Sequence, residues 1–103
     1  MGNGRIVVTD ALLIANGDLL NENADEFTDA CMELLTSKAD ALVMDLTAAQ
    51  RITSTHIGII ADIHFRAEDA NKMLTVKVTP DAYKVFTITN TNEVLKLEVV
   101  DPS

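Results

Sequence analysis

The feature that most constrains this chain is a repeated change of hydrophobic period. Short runs rich in Val, Ile and Leu alternate with stretches in which apolar residues recur every three or four positions. "RIVVTDALLIANG" (5–17) breaks at Thr9-Asp10 and closes at Asn16-Gly17, which predicts two strands, 5–9 and 11–16. Asn16-Gly17-Asp18 is turn chemistry, because Asn and Gly tolerate positive φ. From Asn23 the period is helical, with Ala24, Phe27, Cys31, Leu34 and Leu35 on one face. Asn23 with Glu26 three residues on has the form of a capping box, and the early acids suit the helix dipole.

"ADALVMDLT" (39–47) is an apolar run without helical period, the pattern of a central strand buried on both faces, with 41–47 as its body. A helix is expected over 55–72, opening at Ser54 or Thr55. Ile57, Ile60, Ala61 and His64 form one of its stripes, and Ile59, Ile63, Ala67 and Ala70 another, so it should be covered on more than one side. "LTVKVT" (74–79) alternates as a strand. Pro80-Asp81 opens a third helix with Ala82, Val85, Phe86 and Thr89 on one face, and "EVLKLEVV" (93–100) is a last strand. The order is β-β-α-β-α-β-α-β: an α/β fold, a mixed but mostly parallel sheet with packed helices, in a single domain over 1–103.

Acidic residues outnumber basic ones 16 to 8, for a net charge of −8. That argues against nucleic acid as a partner, since phosphate binding needs Lys and Arg; the acidity serves solubility alone or suits a protein partner with a basic surface. No apolar run approaches the ~18 residues of a membrane span, and "MGNGRIVVTD" turns polar too early for a signal peptide. Gly2 is not followed by the Ser or Thr at position 6 that myristoylation needs, so no direct membrane insertion or anchoring is expected. The expected location is cytoplasmic.

The residues supply little chemistry. Cys31 is the one cysteine and falls on the apolar face of its helix, the place of a small core residue. His56 and His64 lie eight apart with no second pair to complete a metal site. No phosphate-cradling glycine loop and no nucleophile elbow occur. Ser54, His64 and Asp45 could be gathered into a triad on paper, but nothing in their spacing selects them. The expectation is a protein that is not an enzyme and carries no metal or cofactor.

"ALVMDLTAAQRITSTHIGIIADI" (41–63) resembles the STAS family, the domain of bacterial anti-sigma-factor antagonists. Asp45-Leu46-Thr47 matches the family's strand end and Ile52 the apolar residue before its motif. Ser54 matches the serine phosphorylated in switchable members, Thr55 the second hydroxyl, Ile57 the Leu and Gly58 the final Gly of an Asp-Ser-Ser-Gly-Leu-Gly type segment. "VTPDAYKVFTITNTNEVLKLE" (78–98) is similar to the family's C-terminal Ser-Pro segment with its Val-Phe pair. Three positions depart: Thr53 replaces the Asp before the serine, Leu20 stands where a Gly-Glu-Leu-Asp motif ends, and His56 replaces a small Gly.

The resemblance implies a protein-interaction module for an anti-sigma factor or Ser/Thr kinase, with phosphorylation at Ser54 (Thr53 and Thr55 as alternates). Ser54, Thr55, His56, Ile57 and Gly58 would form the partner surface, with His56 exposed at the helix entrance. The same resemblance admits an accessory subunit of a lipid ABC transporter, or a scaffold protomer of a stress-sensing assembly, and a homo-oligomer. Elementary physics allows two uses of the hydroxyls. One caps the helix by accepting an unpaired N–H, worth ~1 kcal/mol; the other receives a phosphate, whose charge a helix start accommodates.

Overall fold

The computed structural model describes residues 6–101, so Gly2 and Arg5 lie outside the described residues. Five strands form one sheet in chain order: β1 (Ile6–Thr9), β2 (Leu12–Ala15), β3 (Ala41–Asp45), β4 (Met73–Val78) and β5 (Lys96–Val99). Three helices connect them: α1 (Ala24–Leu35), α2 (Ser54–Asp69) and α3 (Pro80–Ile88). The order β-β-α-β-α-β-α-β is the expected one. β1 and β2 are an antiparallel hairpin, and β2 through β5 run parallel. Asp10 makes the hairpin corner at φ 52°, a left-handed conformation that Asp tolerates.

Each crossover advances one strand in the same direction. Right-handed crossovers of that kind lay all the helices on one face of the sheet. The burial pattern agrees: Leu13, Ala15, Leu42, Met44, Leu74, Val76 and Val78 are sealed in a single core with Phe27, Ile60, Ile63 and Phe86. Alternate residues Leu12, Ile14, Val43, Asp45, Thr75 and Lys77 are only half-buried. The expectation that β3 is buried on both faces is therefore corrected. It is central in the sheet, but Val43 and Asp45 on its second face are only half-buried. Helix α2 is flanked by α1 as well as by the sheet, as its broad apolar surface suggested.

Element ends follow local chemistry. β3 stops at Asp45 because its carboxylate accepts from the Thr47 N–H (3.0 Å) and hydroxyl (2.7 Å), an Asx-type turn that leaves the ladder. β5 is shorter than the expected 93–100, because Asn90 takes φ 61° and a 3-10 turn uses Thr91–Glu93. The capping box expected at Asn23 is also corrected. Its side chain makes no cap bond to α1, having been recruited elsewhere.

Candidate functional site

The parallel order of β2 and β3 brings their carboxyl ends side by side, and with them the loops 16–23 and 46–53. Three sets of contacts join these loops. Leu19 pairs with Ile52 as a parallel bridge, the Leu19 N–H donating to the Arg51 carbonyl (2.8 Å) and the Thr53 N–H to the Leu19 carbonyl (3.2 Å). The Asp18 carboxylate accepts from the backbone N–H groups of Gln50 (2.9 Å) and Arg51 (3.1 Å) and from Arg51 Nε (3.4 Å). The Gln50 and Arg51 amides, in that order, hold its carboxyl below the usual range, against partial desolvation; the Arg51 side chain adds to their effect. Asp18 thus ties the two loops together.

The third contact runs through His56. Asn23 Oδ1 accepts from the Leu20 N–H (3.1 Å) while its Nδ2 donates to the Asp18 carbonyl (3.1 Å), which fixes the amide orientation. His56 Nε2 lies 2.9 Å from that same Oδ1 and must therefore donate. The other ring nitrogen, Nδ1, is then an acceptor, 2.7 Å from Thr53 Oγ, so the Thr53 hydroxyl gives its proton to the ring. Thr53 Oγ in turn accepts the His56 backbone N–H at 3.4 Å, as the N-cap of α2. The ring packs against Phe27 at 5.1 Å between centroids. Desolvation lowers the pKa of His56, consistent with a neutral imidazole in this relay.

The expected partner-surface residues thus separate. His56 is 0% exposed and Ile57 2% exposed, so the expectation that His56 lies at the surface is overturned. Residue N3 of a helix turns inward when its ring can be satisfied there, and here the relay satisfies both nitrogens. Ile57 packs into the core. Ser54, Thr55 and Gly58 are exposed and, at spacings of three and four, share one strip of α2. Among the described residues neither the Ser54 nor the Thr55 hydroxyl enters a side-chain hydrogen bond; the cap is Thr53. A Cβ built on Gly58 meets nothing within 4 Å, so no packing within the chain requires a glycine there.

Other potential chemistry is quiet. Ser54, His64 and Asp45 are not assembled: Asp45 holds Thr47, and His64 faces Glu68 at 3.5 Å and Phe65. Cys31 is buried, which pushes its thiol up to about 12. No group of three His, Cys, Asp or Glu among the described residues is placed to hold a metal. A cleft of about 620 Å³ opens between the β3–α2 loop and the start of α3. Of its polar groups, Thr47 is committed to Asp45, Arg51 to Asp18, Thr79 to the Ala82 N–H and Asp81 to Lys84 at 3.8 Å, which leaves the side-chain amide of Gln50 as the one group with no bond among the described residues. No helix among the described residues is long and apolar enough to cross a membrane.

The sequence missed Asp18 and Asn23 as site-builders. A signal for the relay was present in Thr53 and His56 themselves, an N-cap hydroxyl and an N3 side chain, the spacing at which reciprocal capping occurs.

No protein-family model matches the chain, and no curated protein does. Among solved structures it is similar to a Thermotoga maritima protein described as a candidate anti-sigma factor antagonist, with a TM-score of 0.75 at 19% identity. The match covers 94% of this chain and 86% of that one. The chain therefore has a STAS-like α/β fold. In particular, the chain has the fold of an anti-sigma-factor-antagonist-like protein.

Proposed function

We propose that this protein is a non-catalytic binding module of the anti-sigma-factor-antagonist kind. It docks a protein partner, an anti-sigma factor with Ser/Thr kinase character, on the exposed strip of α2 that begins at Ser54. The observation that carries the reading is the unexplained pair on that strip. Ser54 has a free, exposed hydroxyl that the cap does not use. Gly58 spends the cost of a helical glycine, ~1 kcal/mol against Ala, with no neighbour among the described residues that needs it. A glycine in such a place lets another backbone approach closely.

The same geometry supplies regulation. A phosphate on Ser54 adds about −1.5 to −2 charges. In the free protein it stands in water beside the unpaired N–H groups of the α2 start, so the fold tolerates it. Beneath a docked partner it is a dianion without a counter-charge, and the complex separates. Thr53 is a poorer acceptor, since its hydroxyl proton is engaged by His56; Thr55 is free and exposed and is the alternate.

The test is incubation with the co-purified partner and ATP, followed by fragmentation mass spectrometry. Phosphate on Ser54, with loss of the complex, is the expected result. A bound kinase that leaves Ser54 and Thr55 unmodified would reduce the protein to a constitutive binder.

A further inference from the structure

Strand β5 lies at the margin of the sheet, with β4 on one side and, among the described residues, no strand on the other. The Val100 N–H donates to the Val78 carbonyl at 2.8 Å. Residues two apart on a strand point the same way, so the amide of Glu98 also faces β4 while those of Leu97 and Val99 face outward. An unpaired edge of this kind is a template for another strand. On it, Lys96 and Glu98 alternate with Leu97 and Val99.

We propose that this edge pairs antiparallel with β5 of a second copy of the chain, about a two-fold axis through Leu97, so that one sheet runs through both copies. Three observations select the occupant and the register. In antiparallel pairing the outward amides must meet outward amides, which admits an axis through any residue of the strand but none between two residues. Through Lys96 the axis sets two ammonium groups opposite; through Val99 it sets Glu98 opposite Val100 and pairs no opposite charges. An axis through Glu98 sets the two Glu98 carboxylates directly opposite, a repulsive arrangement. The axis through Leu97 sets Lys96 opposite the second copy's Glu98, and the two-fold repeats the pair.

The side chains are free to make that contact. Glu98 enters no ion pair among the described residues. The Lys96 ammonium rests 3.1 Å from Met73 Sδ, a weak acceptor readily given up. On the helix side of the sheet, half-buried Leu97 meets its own copy and Val99, 46% exposed, meets Leu95. The Leu95 N–H is spent on the Thr91 carbonyl (2.9 Å), so the pairing rests on the amides of Leu97 and Val99. Charges on an edge ordinarily discourage pairing. Here their alternation favours one register over the others.

Sedimentation of the intact protein over a concentration series, to millimolar, tests this directly. A reversible dimer that weakens with salt is expected. Lys96→Glu or Glu98→Lys alone should each weaken it about tenfold, because the two-fold doubles every like-charge contact. The double variant Lys96→Glu/Glu98→Lys restores the opposite pairs and should recover dimerisation. Leu97→Pro removes an outward N–H that β4 does not use and should abolish the dimer while circular dichroism stays native. Should that variant unfold, the charge exchange still decides. A monomer at every concentration, or a dimer indifferent to the single reversals, or a double variant as weak as the singles, overturns the proposal.

Discussion

Two helix entrances in this molecule use the same backbone device and differ in everything attached to it. Thr53 caps α2 at φ −83°, ψ 162°, and Thr79 caps α3 at φ −77°, ψ 163°. Both hydroxyls accept the N–H three residues on, at 3.4 Å from His56 and 3.1 Å from Ala82. At α3 the first helical residue is Pro80, which has no N–H to satisfy, and the third is a buried Ala. Capping explains that entrance. At α2 the third residue is a buried histidine wired to another loop, and the first is a serine whose hydroxyl bonds to nothing among the described residues. A hydroxyl before a helix is therefore not a functional signal by itself, because a cap can account for it in full.

The comparison breaks most visibly at His56. His56→Ala removes a fully buried ring, strands the Thr53 hydroxyl and leaves Asn23 Oδ1 with one donor. Cavity and unpaired polar groups together should cost about 3 kcal/mol. Chemical denaturation would register this as a lower midpoint with an unchanged slope. Placing a large residue at Ala82 tests overpacking only, because no hydrogen bond of a side chain is lost there. If His56→Ala proved nearly neutral, the relay would be an accident of packing.

The caps themselves come next. Thr79→Ala should cost about 1 kcal/mol, the ordinary value of a lost cap. Thr53→Ala loses the cap and also the donor to a buried His56 Nδ1, so about 2 kcal/mol is expected. Thr53→Ser should recover most of that, since it keeps the hydroxyl. Equal losses at the two caps would show that the Thr53–His56 side-chain bond contributes little, and the thermal midpoints of the pair measure this directly.

The two entrances also show what was legible beforehand. The α3 entrance was read from Pro80 and the apolar spacing after it, because local rules decide it. The strand and helix order was read for the same reason, each element carrying its own period. His56 was misplaced because its partner Asn23 is 33 residues away, and nothing local to either residue announces the bond. The capping box at Asn23 was misread from the other end of that bond. The half-open face of β3 was missed because an unbroken apolar run fits one-sided and two-sided burial alike; the topology, with every crossover advancing in one direction, settles it.

A pH series separates the entrances again, because only α2 contains a titratable group in its cap. Burial lowers the pKa of His56 in the folded protein, while the unfolded value is about 6.5. The unfolded chain therefore takes up the proton first. His56 stabilises fully above about pH 6.5, and stability falls as pH drops below that, by up to ~1.4 kcal/mol per pH unit. Asp18, whose carboxyl is also lowered, has the same sign but acts near and below about pH 4. His56→Gln should flatten the stability profile just below about pH 6.5 and leave the more acidic limb in place. A wild-type profile already flat in that window would mean that His56 is not held neutral.

The smallest effects on stability fall on the strip that the caps leave unexplained, and they sharpen the comparison most. Ser54→Ala removes no bond and should stay within about 0.5 kcal/mol of wild type. Ser54→Asp places a carboxylate at the first turn of α2, worth a few tenths of a kcal/mol in favour of the fold, roughly 0.3–1 at most. Gly58→Ala should stabilise by about 0.5–1 kcal/mol, since its methyl group meets open space and the helix gains propensity. On the reading proposed here, partner binding moves the other way. Ser54→Asp puts a charge where the partner closes, and Gly58→Ala puts a methyl where its backbone approaches, so both weaken the complex while strengthening the domain. Stability and affinity changing in opposite directions at two neighbouring positions is a signature that a structural role cannot produce. Denaturation curves and titration calorimetry on the same three variants measure it. If Gly58→Ala binds as wild type does, the docking strip lies elsewhere on the molecule. The free hydroxyl of Ser54 then loses its companion and remains only the exposed first residue of a helix.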